Sequence, residues 1–345
     1  MPLSFLIAAW IAAWLGPGLE SLPQAAVQVD AAEHRIVIEL PAVDLPAGTP
    51  MSDVMVSVPL CQVLVPVSGS LHSSRVEVLD DAGQPLPQNL LNHFNLTDPY
   101  HRELFLPISM HMFAASKETP QVGVPQLLFG LPVERGQRLI AGAMVANVSA
   151  IPHHGVRVRL VLGYVPAGRP WPLYRTFPWD MDVEYPLGHT EMGIKAFDLQ
   201  PGRTVRSWEA SPAIGGTILG LGGHMHDYGV SLELTDVTTG RVLWGGTPIT
   251  EGPRVVTFPL ARFYNWHRLG IHILPAHRYR VTAVYENPTD HVSPEGGMGA
   301  VAGLFVPDYG AVWPTVDTAD TIYQADLRAT LRAGARGRRM MMMMM

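Results

Sequence analysis

A chain of 345 residues that is 47% hydrophobic and 16% charged can bury a sizeable core, which excludes a disordered protein. Its formal net charge is −6 and its basic residues are scattered except near the C-terminus, so it lacks the basic stripe of a nucleic-acid-binding surface. A single cysteine, Cys61, excludes an intramolecular disulfide and leaves stability to the core.

The N-terminus carries an apolar block from Leu3 to Leu15 with Trp10 and Trp14. The block is shorter than the roughly 20 residues a membrane span needs, and matches the apolar region of a secretory signal. No Lys or Arg precedes Arg35 and no small-x-small cleavage site is evident. Residues 1–27 are therefore read as a signal peptide or N-terminal membrane anchor. The rest is then expected outside the cytoplasm, whether periplasmic, secreted or membrane-anchored.

Residues 28–168 read as a first β-sandwich. Arg35–Leu40, Arg75–Leu79 and Val156–Leu162 are short β-type runs, and the alternation in Arg75–Leu79 and Val156–Leu160 marks half-buried strands. Asp80-Asp81-Ala82-Gly83 is a turn. Cys61, within Val58–Leu64, reads as a buried, inert thiol. The proline-rich stretch Val165–Pro172 is the boundary, and residues 169–312 form a second sandwich. There Val230–Leu234, the turn Thr238-Thr239-Gly240 and Arg241–Trp244 make a hairpin, and Arg278–Tyr285 alternates again. Residues 313–345 are a C-terminal extension, amphipathic over Ala319–Leu331. Its tail from Arg332, ending in six methionines (Met340–Met345), is expected to be disordered. The fold class is all-β, with two tandem antiparallel, jelly-roll-like β-sandwiches. The 33 glycines and 31 prolines suit that architecture of short strands and turns.

The stretch richest in chemistry is Gly222-Gly223-His224-Met225-His226-Asp227-Tyr228-Gly229, set in a β-type run. On an extended strand residues i and i+2 share a face, so His224 and His226 project together and can chelate one metal ion. The pair can equally be structural. A third ligand from another strand is offered by Met298, where glycines on either side leave the thioether prominent. Two imidazoles with a thioether suit copper cycling between Cu(I) and Cu(II) better than zinc. Tyr228, next to the chelate, is a candidate redox or substrate-orienting residue or a packing aromatic. His153-His154 sits in an expected loop. His93, His101 and His111, the last flanked by Met110 and Met112, are further histidines with either a metal or a non-metal role. Asp180 and Asp182 can pair or serve a turn. Asn95 and Asn147 head glycosylation sequons.

The order His224, His226, Met298 resembles the C-terminal domain of the type II copper, ascorbate-dependent monooxygenases, the family of peptidylglycine α-hydroxylating and dopamine β-monooxygenases. The resemblance spans roughly residues 30–310. It implies one copper held by His224, His226 and Met298, with His291 in the loop near the metal. It also implies O2 activation to hydroxylate a small substrate, driven by an ascorbate-like reductant. The family's electron-transfer copper uses an adjacent histidine pair and a third histidine. The matching stretch here, Leu90–Leu96, keeps only His93, with Asn92 before it, and Leu139–Asn147 has no histidine. The first copper site is therefore degenerate, and His93 is left as a second-site or second-shell candidate. A non-catalytic copper-handling protein and a β-sandwich recognition module remain the alternatives. The sequence leaves substrate identity and oligomeric state open.

Overall fold

A computed structural model describes residues 19–48, 54–117, 119–147, 149–185 and 195–343. Most of the expected leader lies outside them. Residues 19–27, however, belong to the first sandwich: Leu22 is buried, the Ala25 N–H donates to Gln62 O, and the edge strand Ala26–Asp30 pairs with Arg35–Glu39. Among the described residues no helix is long and apolar enough to cross a membrane.

The chain is all-β and builds antiparallel sandwiches, as its alternating runs lead one to expect. In the first, an eight-stranded sheet is centred on His153–Pro166, flanked by Arg35–Glu39 and Gly69–Leu79. It packs on a four-stranded sheet ordered Val54–Leu64, Arg138–Asn147, Leu91–Arg102, Ser109–Ser116. The turn at Asp80 closes with Gly83 at φ +79°, a conformation open to glycine at no steric cost. In the second sandwich, a five-stranded sheet runs Phe177–Asp182, Gly299–Pro307, Gly216–Met225, then Ala261–Arg262, with Ile271–Ile273 also paired to Gly216–Met225. The facing sheet runs Gly202–Ala210, Tyr279–Asn287, Gly229–Asp236, Arg241–Gly246, and its last two strands are the expected hairpin around Gly240.

His153-His154 is not in a loop but opens the strand His153–Pro166, where Gly155 at φ +62° lets the chain bulge against Val43–Leu45. Adjacent strand residues face opposite ways, and His154 is exposed beside Asp44 at 3.5 Å. Asn147 is fully buried and its side-chain N–H groups donate to Pro46 O and Ile151 O, so that sequon has no room for a glycan.

The two sandwiches share one apolar core. Phe105 of the first half meets Trp179 and Tyr279 of the second edge-on, at centroid distances of 5.5 and 6.1 Å. The C-terminal extension packs back on both halves. Trp313 stacks on Phe177 at 4.4 Å and donates its indole N–H to Arg102 O, and Tyr323 donates its hydroxyl to Pro99 O. Asp320 caps the helix Thr321–Met343 through the N–H groups of Ile322 and Tyr323. The run from Arg332, expected to be disordered, continues this helix to Met343. Arg, Ala and Met are all strong helix formers, which accounts for the difference.

Cys61 is fully buried, with its thiol 3.5 Å from Pro59 O. Cys61→Ala is expected to cost about 1–2 kcal/mol, the loss of one small buried group and the void it leaves. Metal content should not change; denaturant unfolding with metal analysis checks both.

Candidate metal centre

His224 is the penultimate residue of the strand Gly216–Met225, and His226 follows its end. Met225 between them is buried in the core while both histidines are half-buried, as a shared face requires. The neighbouring strand pairs His224 with Ala300 and Met225 with Gly299. His226 and Met298 are the next residues beyond that pairing, so the two segments that carry the residues singled out from sequence run side by side. Gly297 and Gly299 permit the close approach: a Cβ at the first would run into the Phe197 ring, and at the second would stand 2.6 Å from Ala283 Cβ.

Tyr285 locks this arrangement. It is fully buried on Tyr279–Asn287, in the facing sheet, and its phenol reaches across the sandwich. The oxygen accepts the N–H groups of His226 and Met298, each at 3.0 Å, and the hydroxyl donates to Met298 O. Burial pushes the phenol up to about 12, so it remains a donor throughout the neutral range.

His226 Nδ1 lies 3.3 Å from Glu295 O. A carbonyl only accepts, so Nδ1 carries the hydrogen, the outer-shell arrangement common in metal-binding imidazoles. Glu295 holds φ +51° and Tyr228 φ +67°, so an uncommon backbone conformation flanks the histidine pair on both chain segments. The ring centroids of His224 and His226 are 5.5 Å apart and nearly perpendicular. With a metal–nitrogen bond of about 2.0–2.1 Å, two imidazoles on one ion have centroids about 5–6 Å apart. His224 Nε2 is shielded from solvent.

His93, on Leu91–Arg102 of the first sandwich, places its ring 6.1 Å from that of His224. His93 thus stands at the same junction as the pair. The other candidates lie elsewhere. Tyr228 occupies the turn after the chelate and packs against the core. His291 turns an exposed ring to Asp290. His101 is held by Asp98 at 2.8 Å, and Met110 and Met112 are core residues.

A second cluster escaped the sequence reading. His111, Glu103 and Asp180 converge, with Lys195 bound to Asp180 at 3.1 Å and Asp182 two residues along the strand. Burial pushes the Glu103 and Asp182 carboxyls up to about 7, the Asp180 charge adding to the effect at Glu103. Asp180 is itself buried, but the Lys195 ammonium and His111 outweigh that burial and hold its carboxyl below the ordinary value. The only sequence signals were Asp180 and Asp182 at i, i+2 and His111 among the unplaced histidines; nothing marked Glu103.

No protein-family model and no curated protein matches the sequence. Among solved structures, PNGF-II is similar over 79% of this chain at 8% identity and a TM-score of 0.36; the match spans 65% of that chain. The Sulfolobus Turreted Icosahedral Virus structure matches 92% of this chain and 98% of its own at 11% identity, with a TM-score of 0.35. The infectious bursal disease virus Gx strain structure matches 86% and 75% at 13% identity, with a TM-score of 0.22. These likenesses carry no inference about activity.

Proposed function

We propose that this chain is a copper protein of the type II monooxygenase kind, holding one ion with His224, His226 and Met298. The observation that carries the reading is the shared phenol of Tyr285, which fixes the His226 and Met298 backbones against each other, with His226 Nδ1 held at Glu295 O. The donor set fits copper: imidazoles serve both oxidation states, and a thioether favours Cu(I). Bound copper would supply one-electron chemistry with O2, and an ascorbate-like reductant and a small C–H substrate complete the proposed reaction. The chain's own contribution is to fix the tautomer of His226, hold the thioether in register and keep the ligand face at the junction of the sandwiches. The apolar N-terminal block supports a location outside the cytoplasm.

A non-catalytic copper-handling role is the second reading, favoured by one observation. His93 stands beside His224 instead of forming a separate electron-transfer site, and the strand Arg138–Asn147 offers no histidine.

Copper loading of the purified chain tests the first claim. One copper per chain is expected, and His226→Ala should weaken it by at least about 100-fold, the upper end of what losing even an outer-shell partner costs. Met298→Leu should weaken Cu(I) binding more than Cu(II). Wild-type protein that retains no copper, or a His224→Ala/His226→Ala variant that retains as much, would overturn the centre. Ascorbate-driven O2 consumption by the loaded protein then separates monooxygenase from handling protein.

A further inference from the structure

We propose that Glu103, His111 and Asp180 form a second metal site, for a divalent cation of the zinc type, that clamps the two sandwiches together. This does not rest on the copper reading.

The residues come from both halves. Glu103 follows the strand Leu91–Arg102, His111 lies on Ser109–Ser116, and Asp180 lies on Phe177–Asp182, the first strand of the second sandwich, which packs against Ser109–Ser116. One ligand atom from each lies within 4.8 Å of the others. His111 Nδ1 stands 3.2 Å from Glu103 Oε1 and 4.0 Å from Asp180 Oδ1, and the His111 backbone N–H donates to Glu103 Oε1 at 2.5 Å, fixing the carboxylate. Donors about 2.0–2.2 Å from one ion stand about 3–3.5 Å apart, so the His111–Glu103 spacing already fits and Asp180 must draw in on His111 by about half an ångström.

Two independent features point to a ligand. The Glu103 side chain is 1% exposed, yet Oε2 has no hydrogen-bond partner among the described residues; Asp180 Oδ1 and the fully buried Asp182 Oδ2 share that condition. Buried oxygens of this kind are costly unless something satisfies them. Carboxyls also crowd the site: Glu103, Asp180, Asp182 and buried Asp326 gather around the His111 imidazole and one lysine, Lys195, which occupies the other Asp180 oxygen. A divalent cation between Glu103 and Asp180 would let both ionise without an uncompensated buried charge. One imidazole and two carboxylates form a borderline-to-hard donor set, which takes zinc over Cu(I).

The test uses the full chain carrying His224→Ala and His226→Ala, so that the other centre takes no zinc, stripped with a chelator. On equilibrium dialysis against Zn2+ alone, one equivalent is expected to bind and the Tm to rise. Adding Glu103→Gln should lower the zinc affinity at least tenfold and remove the Tm response, and Asp180→Asn should do likewise. No bound zinc and no Tm rise in the parent would overturn the site, as would Glu103→Gln binding zinc as tightly as the parent. Should the Glu103 variant not fold, the parent's Tm response decides alone: a rise supports the site and its absence overturns it.

Discussion

Tyr285→Phe is expected to destabilise the metal-free protein by about 2–6 kcal/mol, although it removes a single oxygen atom. That oxygen is the acceptor for two backbone N–H groups, of His226 and Met298, and the donor to Met298 O. The ring is fully buried against Phe197, with centroids 5.8 Å apart, so phenylalanine keeps the packing and isolates the polar loss. Each buried N–H left without an acceptor costs about 1–3 kcal/mol, which gives the range. The same change unties the two segments that carry the proposed ligands, so copper affinity should fall by about 10–100-fold, as for other outer-shell partners. Guanidinium unfolding of the chelated protein and copper competition on the folded variant measure the two effects separately. A stability loss below 1 kcal/mol would show that water or a backbone shift replaces the phenol. A large stability loss with unchanged copper affinity would show that the lock serves the fold alone.

The strands were legible because alternation is a local property: in Tyr279–Asn287 every second residue is buried, as its sequence pattern requires. The shared face of His224 and His226 followed from the same period. Met298 was harder, since the partner of a strand end depends on register, and register is tertiary. Its flanking glycines gave the hint, and pairing of His224 with Ala300 supplies the reason. Tyr285 gave no signal beyond an aromatic in an alternating run, because the reach of its hydroxyl across the sandwich depends on the spacing of two sheets. The Glu103 cluster was hidden for a further reason. Its members are 8 and 69 residues apart along the chain (103 to 111 and 111 to 180), and only docking of one sandwich on the other brings Asp180 to His111.

That cluster should also make the metal-free protein less stable as pH rises from about 5 to 8, against the usual gain as carboxylates ionise. Glu103 and Asp182 are raised by burial to about 7, whereas in the unfolded chain they titrate near 4.5 and 3.8. Between those values the folded protein holds protons that the unfolded chain has released, so stability falls with pH and levels off once both folded groups have ionised. Each group carries on the order of 3 kcal/mol at one unit per 1.36 kcal/mol. His111 shifts the same way: burial lowers it, but the hydrogen bond to Glu103 and the Asp180 charge outweigh that and raise the imidazole, whose contribution is lost as pH rises through its folded value. Asp180 shifts the opposite way, but it acts only below its ordinary value near 3.8, outside the window. Lys195 and Tyr185, both raised well above neutral, keep their protons across it. Thermal unfolding in chelator at pH 5, 6, 7 and 8 should show a Tm that drops across the series, and Glu103→Gln with Asp182→Asn should flatten it, since neutral amides mimic the protonated carboxyls. A Tm that climbs through this range in the chelated wild type would mean that both carboxyls ionise at ordinary values. In the His224→Ala/His226→Ala background, saturating Zn2+ should then reverse the slope, and adding Glu103→Gln should abolish that reversal, because the cation holds Glu103 ionised in the folded state and converts its cost at pH 8 into a ligand's gain.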